Sequence, residues 1–304
     1  MNIKLTGLIH IIACFLIVIT FPAQGQENLS RFDISCSMDW ARGELTAQAG
    51  FDLAQAGIKL PTGRSMAEAA LREAYPLLLR PYLLSIRVDS NSTIGNLVER
   101  GELSLGDLDI VCQEAGTVTP SLSADLRRMI GRFTIPTGRI SAILARQRRP
   151  IEAAGPLIPV QTSDYTGIII IADREAPVRG RRAEALLEPC LSPRIWDTNM
   201  NLVYERNMVD PDRLRGTMMV CYAASESIFR PTPSGLEGEL AALAGPNPLR
   251  ILVREVFGIF PTDAVIDRDD ALKILSSENN RRLLREGRIV LVLNEKMLKT
   301  TIQP

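Results

Sequence analysis

Histidine is almost absent from this chain. The 304 residues contain one histidine, His10, and it lies in an N-terminal apolar segment that we expect to be removed. A mature chain without imidazole excludes Ser-His-Asp and Cys-His catalysis, histidine general bases and histidine-bearing zinc sites. Carboxylates, lysines, tyrosines and hydroxyls would then be the remaining candidates for acid–base chemistry.

An excess of charge of either sign is also lacking. The sequence has 35 basic and 35 acidic residues, so its formal net charge is zero. No global field draws the protein to nucleic acid or anionic lipid, although a local basic patch is compatible with this balance. We therefore expect no nucleic-acid partner.

Several short motifs of enzymes are missing as well. There is no G-x-G-x-x-G opening a helix, no G-x-x-x-x-G-K-[ST], no G-x-S-x-G and no C-x-x-C. These motifs hold nucleotides, phosphates, nucleophilic serines and redox cysteine pairs. Their absence predicts a non-enzymatic protein with no cofactor, no catalytic residues and no bound metal.

Residues 1–25 have the composition of a secretory signal peptide. An apolar run from Leu8 to Phe21 precedes small residues, which predicts cleavage between Gly25 and Gln26. Two alternatives remain open: acylation of Cys14, which ends a lipobox-like segment, and an uncleaved anchor. We expect an exported protein that is periplasmic or associated with the outer membrane.

We expect an N-terminal α+β domain over residues 26–149. Alternating apolar residues at 32–38 and 45–49 predict two strands. Trp40 and Gly43 lie between them and have two interpretations, a ligand site or a core tryptophan beside a bend; we favour the second.

A helix packed on this sheet is predicted from Met66, because Ser65 and Glu68 form a capping box. Pro76 and Pro81 predict that the helix is kinked or in two pieces. Residues 107–144, including the run LDIVC, look mainly like strand and turn. The predicted apolar face of the helix consists of Ala70, Ala74, Leu77, Leu78 and Leu84.

A proline-rich linker is predicted at residues 150–164, followed by a mostly β domain of the α+β class over residues 165–304. The run from Tyr165 to Ala172 has no polar face, so it predicts a strand covered on both sides at the centre of that domain. The domain is expected to close with a βαβ-like unit: a strand at 263–266, a helix at about 268–285 and a strand at 288–293.

Four cysteines remain in the expected mature chain. Cys36 with Cys112, and Cys190 with Cys221, are the disulfide pairings that stay within each domain. The alternative is four buried free thiols, since cysteine also behaves as a small core hydrophobe.

The acidic run around Asp267, Asp269 and Asp270 has two interpretations. Such carboxylates could bind a divalent metal and perform acid–base work. Their place at a predicted helix start favours capping of free N–H groups and interaction with the helix dipole.

These features together resemble bacterial LPP-type lipoproteins and relatives of flagellar assembly protein T. The N-terminal similarity lies in Trp40-x-x-Gly43-x-Leu45-x-Ala47, the Ala-rich helix and the strand at 86–88. The C-terminal similarity lies in Tyr165-Thr166-Gly167, Pro193-Arg194-Ile195 with Asp197, Asn247-Pro248-Leu249, residues 262–266 and residues 288–293.

The resemblance implies an exported, non-enzymatic structural or adaptor protein of the cell envelope. Its implied partners are other envelope proteins, among them flagellar or outer-membrane components, and self-association is compatible with it. Two alternatives remain: a carboxylate-dependent divalent-metal hydrolase, and a periplasmic small-ligand binder with a polar-rimmed apolar pocket.

The N-terminal mass of the protein purified from its native compartment tests the signal-peptide prediction. We expect the chain to begin at Gln26, because the small residue Gly25 precedes the cleavage point. A mass that corresponds to a chain starting at Met1, or to an acylated Cys14, would contradict the assignment.

Overall fold

The computed structural model describes residues 29–224 and 238–304. The predicted signal segment, with Cys14 and the cleavage point between Gly25 and Gln26, lies outside these residues. Within the described ranges, no helix combines the length and the apolar character needed to cross a membrane. The described residues form the expected α+β arrangement, with helices on an antiparallel N-terminal sheet and a larger C-terminal sheet.

The N-terminal sheet is antiparallel and has the strand order β14-β1-β2-β4-β3. The two predicted strands are present, and their alternating apolar residues, such as Met38 and Leu45, point into the core. The strands are β1 (Phe32–Asp39), β2 (Glu44–Asp52), β3 (Gly116–Leu122), β4 (Arg128–Pro136) and β14 (Lys299–Ile302).

The long helix α1 (Arg64–Ser85) packs on this sheet against β1, β2 and β4. It begins after Gly63 without a side-chain cap, so the predicted capping box is wrong; Glu68 instead pairs with Arg64 at 2.9 Å. The predicted apolar face is only partly correct: Ala70, Leu78 and Leu84 are half-buried against the core, whereas Leu77 is exposed and the fully buried residues lie at a spacing of four. The buried residues are Ala67, Leu71, Tyr75, Leu79 and Leu83.

Pro76 and Pro81 lie inside this helix, which nevertheless runs unbroken over 22 residues. The prediction of a two-piece element is therefore wrong. Each proline leaves the carbonyl four residues earlier, on Arg72 or Leu77, without its helical donor. Both of those residues are exposed, so water can satisfy the two carbonyls.

Two shorter helices follow, α2 (Ile94–Glu99) and α3 (Leu105–Gln113). The run LDIVC was expected as strand and is in α3 instead. Ser104 starts this helix with a capping box, in which the Ser104 side chain and Asp107 bond each other's backbone N–H groups. After β4 comes α4 (Thr137–Ala142).

The C-terminal sheet has the order β10-β13-β5-β11-β12-β8-β9. The isoleucine strand β5 is central, as predicted, with parallel neighbours β13 and β11 on its two sides. The strands are β5 (Ile168–Ala172), β8 (Ile195–Asp197), β9 (Leu202–Tyr204), β10 (Cys221–Ala224), β11 (Leu249–Phe257), β12 (Asp263–Ile266) and β13 (Ile289–Leu293), and β6 (Ala176–Pro177) pairs with β7 (Glu184–Ala185) as a separate ribbon.

Among the described residues, four α-helices cover this sheet or connect its strands: α5 (Pro211–Leu214), α6 (Gly238–Ala244), α7 (Arg268–Leu275) and α8 (Glu278–Arg285). The predicted single helix at 268–285 is in fact α7 and α8, because Ser277 caps a new helix by accepting from Asn280 N. Strands β12 and β13 run in opposite directions with β11 and β5 between them, so the closing unit is not a parallel crossover.

The chain ends by returning to the N-terminal sheet. After the short helix α9 (Glu295–Leu298), β14 pairs with β1 and not with the C-terminal sheet. One contiguous set of buried apolar residues runs through both sheets. The boundary at 150–164 stays a prediction; those residues form neither helix nor strand and bond to the C-terminal unit, as in Ile151 N to Asn207 O at 2.8 Å.

Two leucines of α1 provide a test of its buried face. Leu79 is fully buried, so Leu79→Ala should lower the free energy of unfolding by about 2–5 kcal/mol. Leu77, which was predicted to be buried, is 50% exposed, and Leu77→Ala should cost less than about 1 kcal/mol. Chemical denaturation of both variants measures this, and equal losses would contradict the observed face.

Candidate functional site

A cleft of about 870 Å³ lies between the N-terminal and C-terminal units. Segments far apart in sequence form its walls. From the N-terminal unit come Trp40, Ala41, Arg42, Gly43, Pro136, Thr137 and Gly138; from the C-terminal unit come Asp210, Asp212, Arg213, Gly216, Thr217, Met218, Val220, Cys221, Tyr222, Ala242, Leu243, Glu286 and Arg288.

Trp40 forms an aromatic wall of the cleft and is held from three sides. Its backbone N–H donates to Leu298 O at 2.8 Å, and its Nε1 donates to Thr300 Oγ1 at 3.1 Å. Its ring meets that of Tyr222 edge to face, with centroids 5.7 Å apart. The indole is thus positioned by the C-terminal strand β14 as well as by its own turn.

Glycines allow the two units to approach closely beside the cleft. Gly43 has φ +64°, a conformation that favours glycine, and its carbonyl accepts from Thr137 N at 2.8 Å. A Cβ on Gly138 would lie 2.5 Å from Gly216 O, so only glycine fits where α4 meets the C-terminal unit. The interpretation of Trp40 as a core tryptophan beside a bend is confirmed, since it is 3% exposed, yet both Trp40 and Gly43 also line the cleft.

The cleft is lined by three acidic and three basic side chains. Most of them already form a hydrogen bond or an ion pair within the protein. Asp210 caps α5, Asp212 pairs with Arg215, and Glu286 pairs with Arg282. Among the basic groups, Arg288 donates to the carbonyls of Leu243 and Ala242 at 3.1 and 3.0 Å.

Arg42 and Arg213 differ from these groups. Both are exposed, and neither guanidinium forms an ion pair within the part of the chain that the structure describes. The cleft therefore holds two exposed arginines without an ion pair, although its acidic and basic side chains are equal in number.

A second contact fixes the relative position of the two units. The turn between α1 and α2 bonds to the C-terminal unit through its backbone: Leu191 N donates to Arg87 O, Ser192 N to Val88 O and Phe260 N to Ser90 O, at 2.7–3.1 Å. Nearby, Asp89 and Arg194 form an ion pair at 3.2 Å.

Asp263, at the start of β12, is the buried polar centre of this contact. Its carboxylate is fully buried and accepts from Ser90 Oγ at 2.8 Å, Trp196 Nε1 at 3.0 Å and Arg194 N at 3.1 Å. Burial raises the pKa of Asp263, and these three hydrogen bonds partly counteract that rise. A buried carboxylate with three donors is an anchor between the units, because Ser90 comes from one unit and the other two partners from the other.

The cysteines do not form the expected disulfides in the structure. Cys36, Cys112 and Cys190 are buried free thiols, which leaves both pairings unformed. Cys190 lies under Tyr222, whose hydroxyl donates to Cys190 O, whereas Cys221, the preceding residue in β10, faces the opposite side of the sheet. Burial raises the pKa of Cys36 to about 12 and that of Cys112 to about 11, which keeps both thiols protonated.

The acidic run does not line the cleft. Asp267 occupies the N-cap position of α7 but makes no capping bond; it accepts two bonds from Arg254, at 2.7 and 3.0 Å, so the predicted role of its side chain is wrong. Asp270 pairs with Lys273 at 2.7 Å. Asp269 and Asp270 lie in the first turn, as expected, and the described residues contain no cluster of metal-ligating side chains.

The fold and the cleft define an α+β protein of two units that meet at a shared ligand-sized opening. A family model described as the N-terminal domain of Treponema pallidum Tp0624 matches residues 31–143, and one described as its second domain matches residues 167–295. The chain is therefore similar to these two Tp0624 domains, in the same order. A comparison with curated proteins finds no match.

These matches correct the resemblance drawn from the sequence. The matching families are the two Tp0624 domains, not the LPP-type lipoproteins or flagellar assembly protein T. The motifs behind that resemblance are short turns and apolar strands, such as Tyr165-Thr166-Gly167. Their physical role is to build a fold, so they do not identify one family.

Ser90 provides a test of the anchor at Asp263. Ser90→Ala should lower the free energy of unfolding by about 2 kcal/mol, since it removes a buried bond to a charged acceptor. The Ser90 bond favours the ionised carboxylate, so the loss should be larger above the raised pKa of Asp263 than below it. Denaturation at several pH values measures this.

Ser92→Ala is the matched control, because Ser92 lies in the same turn and is also buried but contacts Arg100 only weakly, at 3.4 Å. It should cost less than about 1 kcal/mol and show no such pH dependence. Equal losses of unfolding free energy in the two variants would contradict the anchoring role of Asp263.

Proposed function

We propose that the protein is a non-enzymatic, exported component of the cell envelope that acts as a structural or adaptor protein, and that the cleft is where a partner binds. The observation that carries this proposal is the pair Arg42 and Arg213, which form no ion pair among the described residues and lie exposed in the cleft. The chemistry they fit is an acidic segment of another envelope protein.

The geometry also supports a rigid binding site. Trp40 and Tyr222 are 3% and 2% exposed, so they form a fixed wall of the cleft and leave the contact with a partner to Arg42 and Arg213. The close approach of Gly138 to Gly216 and the bonds of Trp40 to β14 hold this wall in place before a partner arrives. A preorganised site loses less conformational entropy on binding.

A small-ligand binder is a second candidate, favoured by the size of the cleft. A volume of about 870 Å³ falls within the roughly 300–1,000 Å³ of ligand pockets. The same two arginines would then hold a carboxylate or phosphate group of the ligand. The experiment below separates the two candidates, because only a macromolecular partner gives a crosslinked adduct of increased mass.

A photo-crosslinkable residue placed at Thr217, which is exposed and lines the cleft, tests the adaptor proposal in intact cells. We expect a discrete adduct from this position and none from Arg132, an exposed site on β4 outside the cleft. Arg42→Ala with Arg213→Ala should reduce the adduct about fivefold, the effect of losing two exposed ion pairs.

Two control variants complete this test. Arg72→Ala with Arg132→Ala removes two exposed arginines that do not line the cleft and should leave the adduct unchanged. The triple change of Asp267, Asp269 and Asp270 to Asn should also leave it unchanged. An adduct yield that is unchanged by Arg42→Ala with Arg213→Ala would contradict the proposed site. A divalent-ion-dependent hydrolytic activity that is present in the wild type and lost in the triple variant would favour an enzyme.

A further inference from the structure

Leu157 combines two properties that no other described leucine combines. Its side chain is 103% exposed, and it lies in a segment without helix or strand. The other exposed leucines have a bonded backbone: Leu77 lies in α1, Leu105 in α3, Leu252 in β11, and Leu126 in a hydrogen-bonded turn between β3 and β4. Exposed apolar residues are normal on protein surfaces, so it is the backbone around Leu157 that distinguishes it.

The backbone around this leucine has no internal hydrogen bonds. Within the described ranges, residues 152–159 form no hydrogen bond and no ion pair. The chain is bonded again on both sides: Ile151 N donates to Asn207 O at 2.8 Å, and Val160 N donates to Ser276 Oγ at 3.0 Å. Such an exposed segment enters the active site of a protease without breaking a hydrogen bond of the fold.

The segment also lies between the two ranges that match the Tp0624 domains. The first match ends at residue 143 and the second begins at residue 167. Residues 144–166 contain no helix and no strand. A cut in this segment therefore divides neither matched domain and no element of secondary structure.

The two parts of the chain stay joined by contacts that are distant from the segment. Strand β14, from the C-terminal part, pairs with β1, and Asp263 accepts from Ser90 Oγ at 2.8 Å. One contiguous apolar core contains residues of both parts. A cut would remove the covalent link and leave these contacts in place, and the residues that line the cleft all lie outside the segment.

Two prolines restrict which bond of the exposed tip can be cut. Pro156 and Pro159 disfavour cleavage directly before them, because a proline nitrogen carries a ring and no hydrogen. The bond between Leu157 and Ile158 remains. Both of its residues are exposed, Ile158 to 82%, and a leucine before the cleaved bond fits an apolar specificity pocket.

We propose that the Leu157–Ile158 bond is a proteolytic processing site for an endoprotease with an apolar specificity pocket, and that the product is a two-chain protein that stays assembled. Water is the co-reactant. As the C–N bond breaks, the Leu157 carbonyl carbon gains the hydroxyl of the water and the Ile158 nitrogen gains its hydrogen. The new chain ends are a carboxylate on Leu157 and an ammonium group on Ile158.

Limited digestion with chymotrypsin, whose specificity pocket is a hydrophobic slot, tests the proposal on the chain from Gln26 to Pro304. We expect mass spectrometry to find a fragment that begins at Ile158, and size-exclusion chromatography to find both fragments in one peak at the elution volume of the uncut protein. Leu157→Ser should lower the initial rate of this cleavage about tenfold or more, because the pocket loses its apolar group. Its thermal midpoint should equal that of the wild type, because the side chain is fully exposed.

Leu252→Ser is the matched control. Leu252 is also an exposed leucine, at 62%, but its strand β11 pairs with β5 on one side and β12 on the other. We expect no cleavage after Leu252 in the folded protein and unchanged cleavage after Leu157 in this variant. The proposal is overturned if no fragment begins at Ile158, if Leu157→Ser is cut there at the wild-type rate, or if the two fragments elute separately.

Discussion

The buried carboxylate of Asp263 is the constraint on which the arrangement of the two units depends. Burial of a carboxylate away from water costs free energy unless hydrogen-bond donors surround it. The donors to Asp263 come from both units. Rotation of one unit against the other would withdraw Ser90 and leave part of that negative charge unsatisfied. The backbone bonds of Arg87, Val88 and Ser90 beside it favour the same relative position.

The cleft follows from this arrangement and from β14. Asp263 holds one side of the junction, and the pairing of β14 with β1 holds the other, where Trp40 is bonded to Leu298 and Thr300. Between these two fixed points the surfaces touch at Gly138 and separate around Arg42 and Arg213. The opening is thus a product of how the units are joined and belongs to neither unit alone.

Sequence reasoning found the elements whose pattern is local and strong. The isoleucine strand was predictable because it has no polar face, and β1 and β2 because apolar residues alternate along them. The buried face of α1 was not, because leucines at 77 and 78 compete with those at 79 and 83 and only the position of the sheet decides between them. The run LDIVC was wrongly predicted as strand, because a short apolar run fits both structures; the capping box of Ser104 and Asp107 is the local signal that could have marked it as helix.

The cleft itself lay beyond sequence reasoning. Its walls come from residues as distant as Trp40 and Arg288, and no periodicity links them. Trp40 and Gly43 were the one local signal, because a tryptophan beside a glycine bend is compatible with a ligand site as well as with a core. The unpaired state of Arg42 and Arg213 depends on which neighbours the fold supplies, and a sequence does not contain that information.

The place of β14 in the N-terminal sheet has a consequence for the order in which the molecule can form. Trp40 and its partner Thr300 are 260 positions apart, so this many residues must be synthesised after Trp40 before β1 gains its second neighbour. Until then one edge of β1 is an open template for another strand, and contacts of such long range form slowly. During synthesis this edge of β1 is therefore a place where a wrong strand can pair until β14 is made.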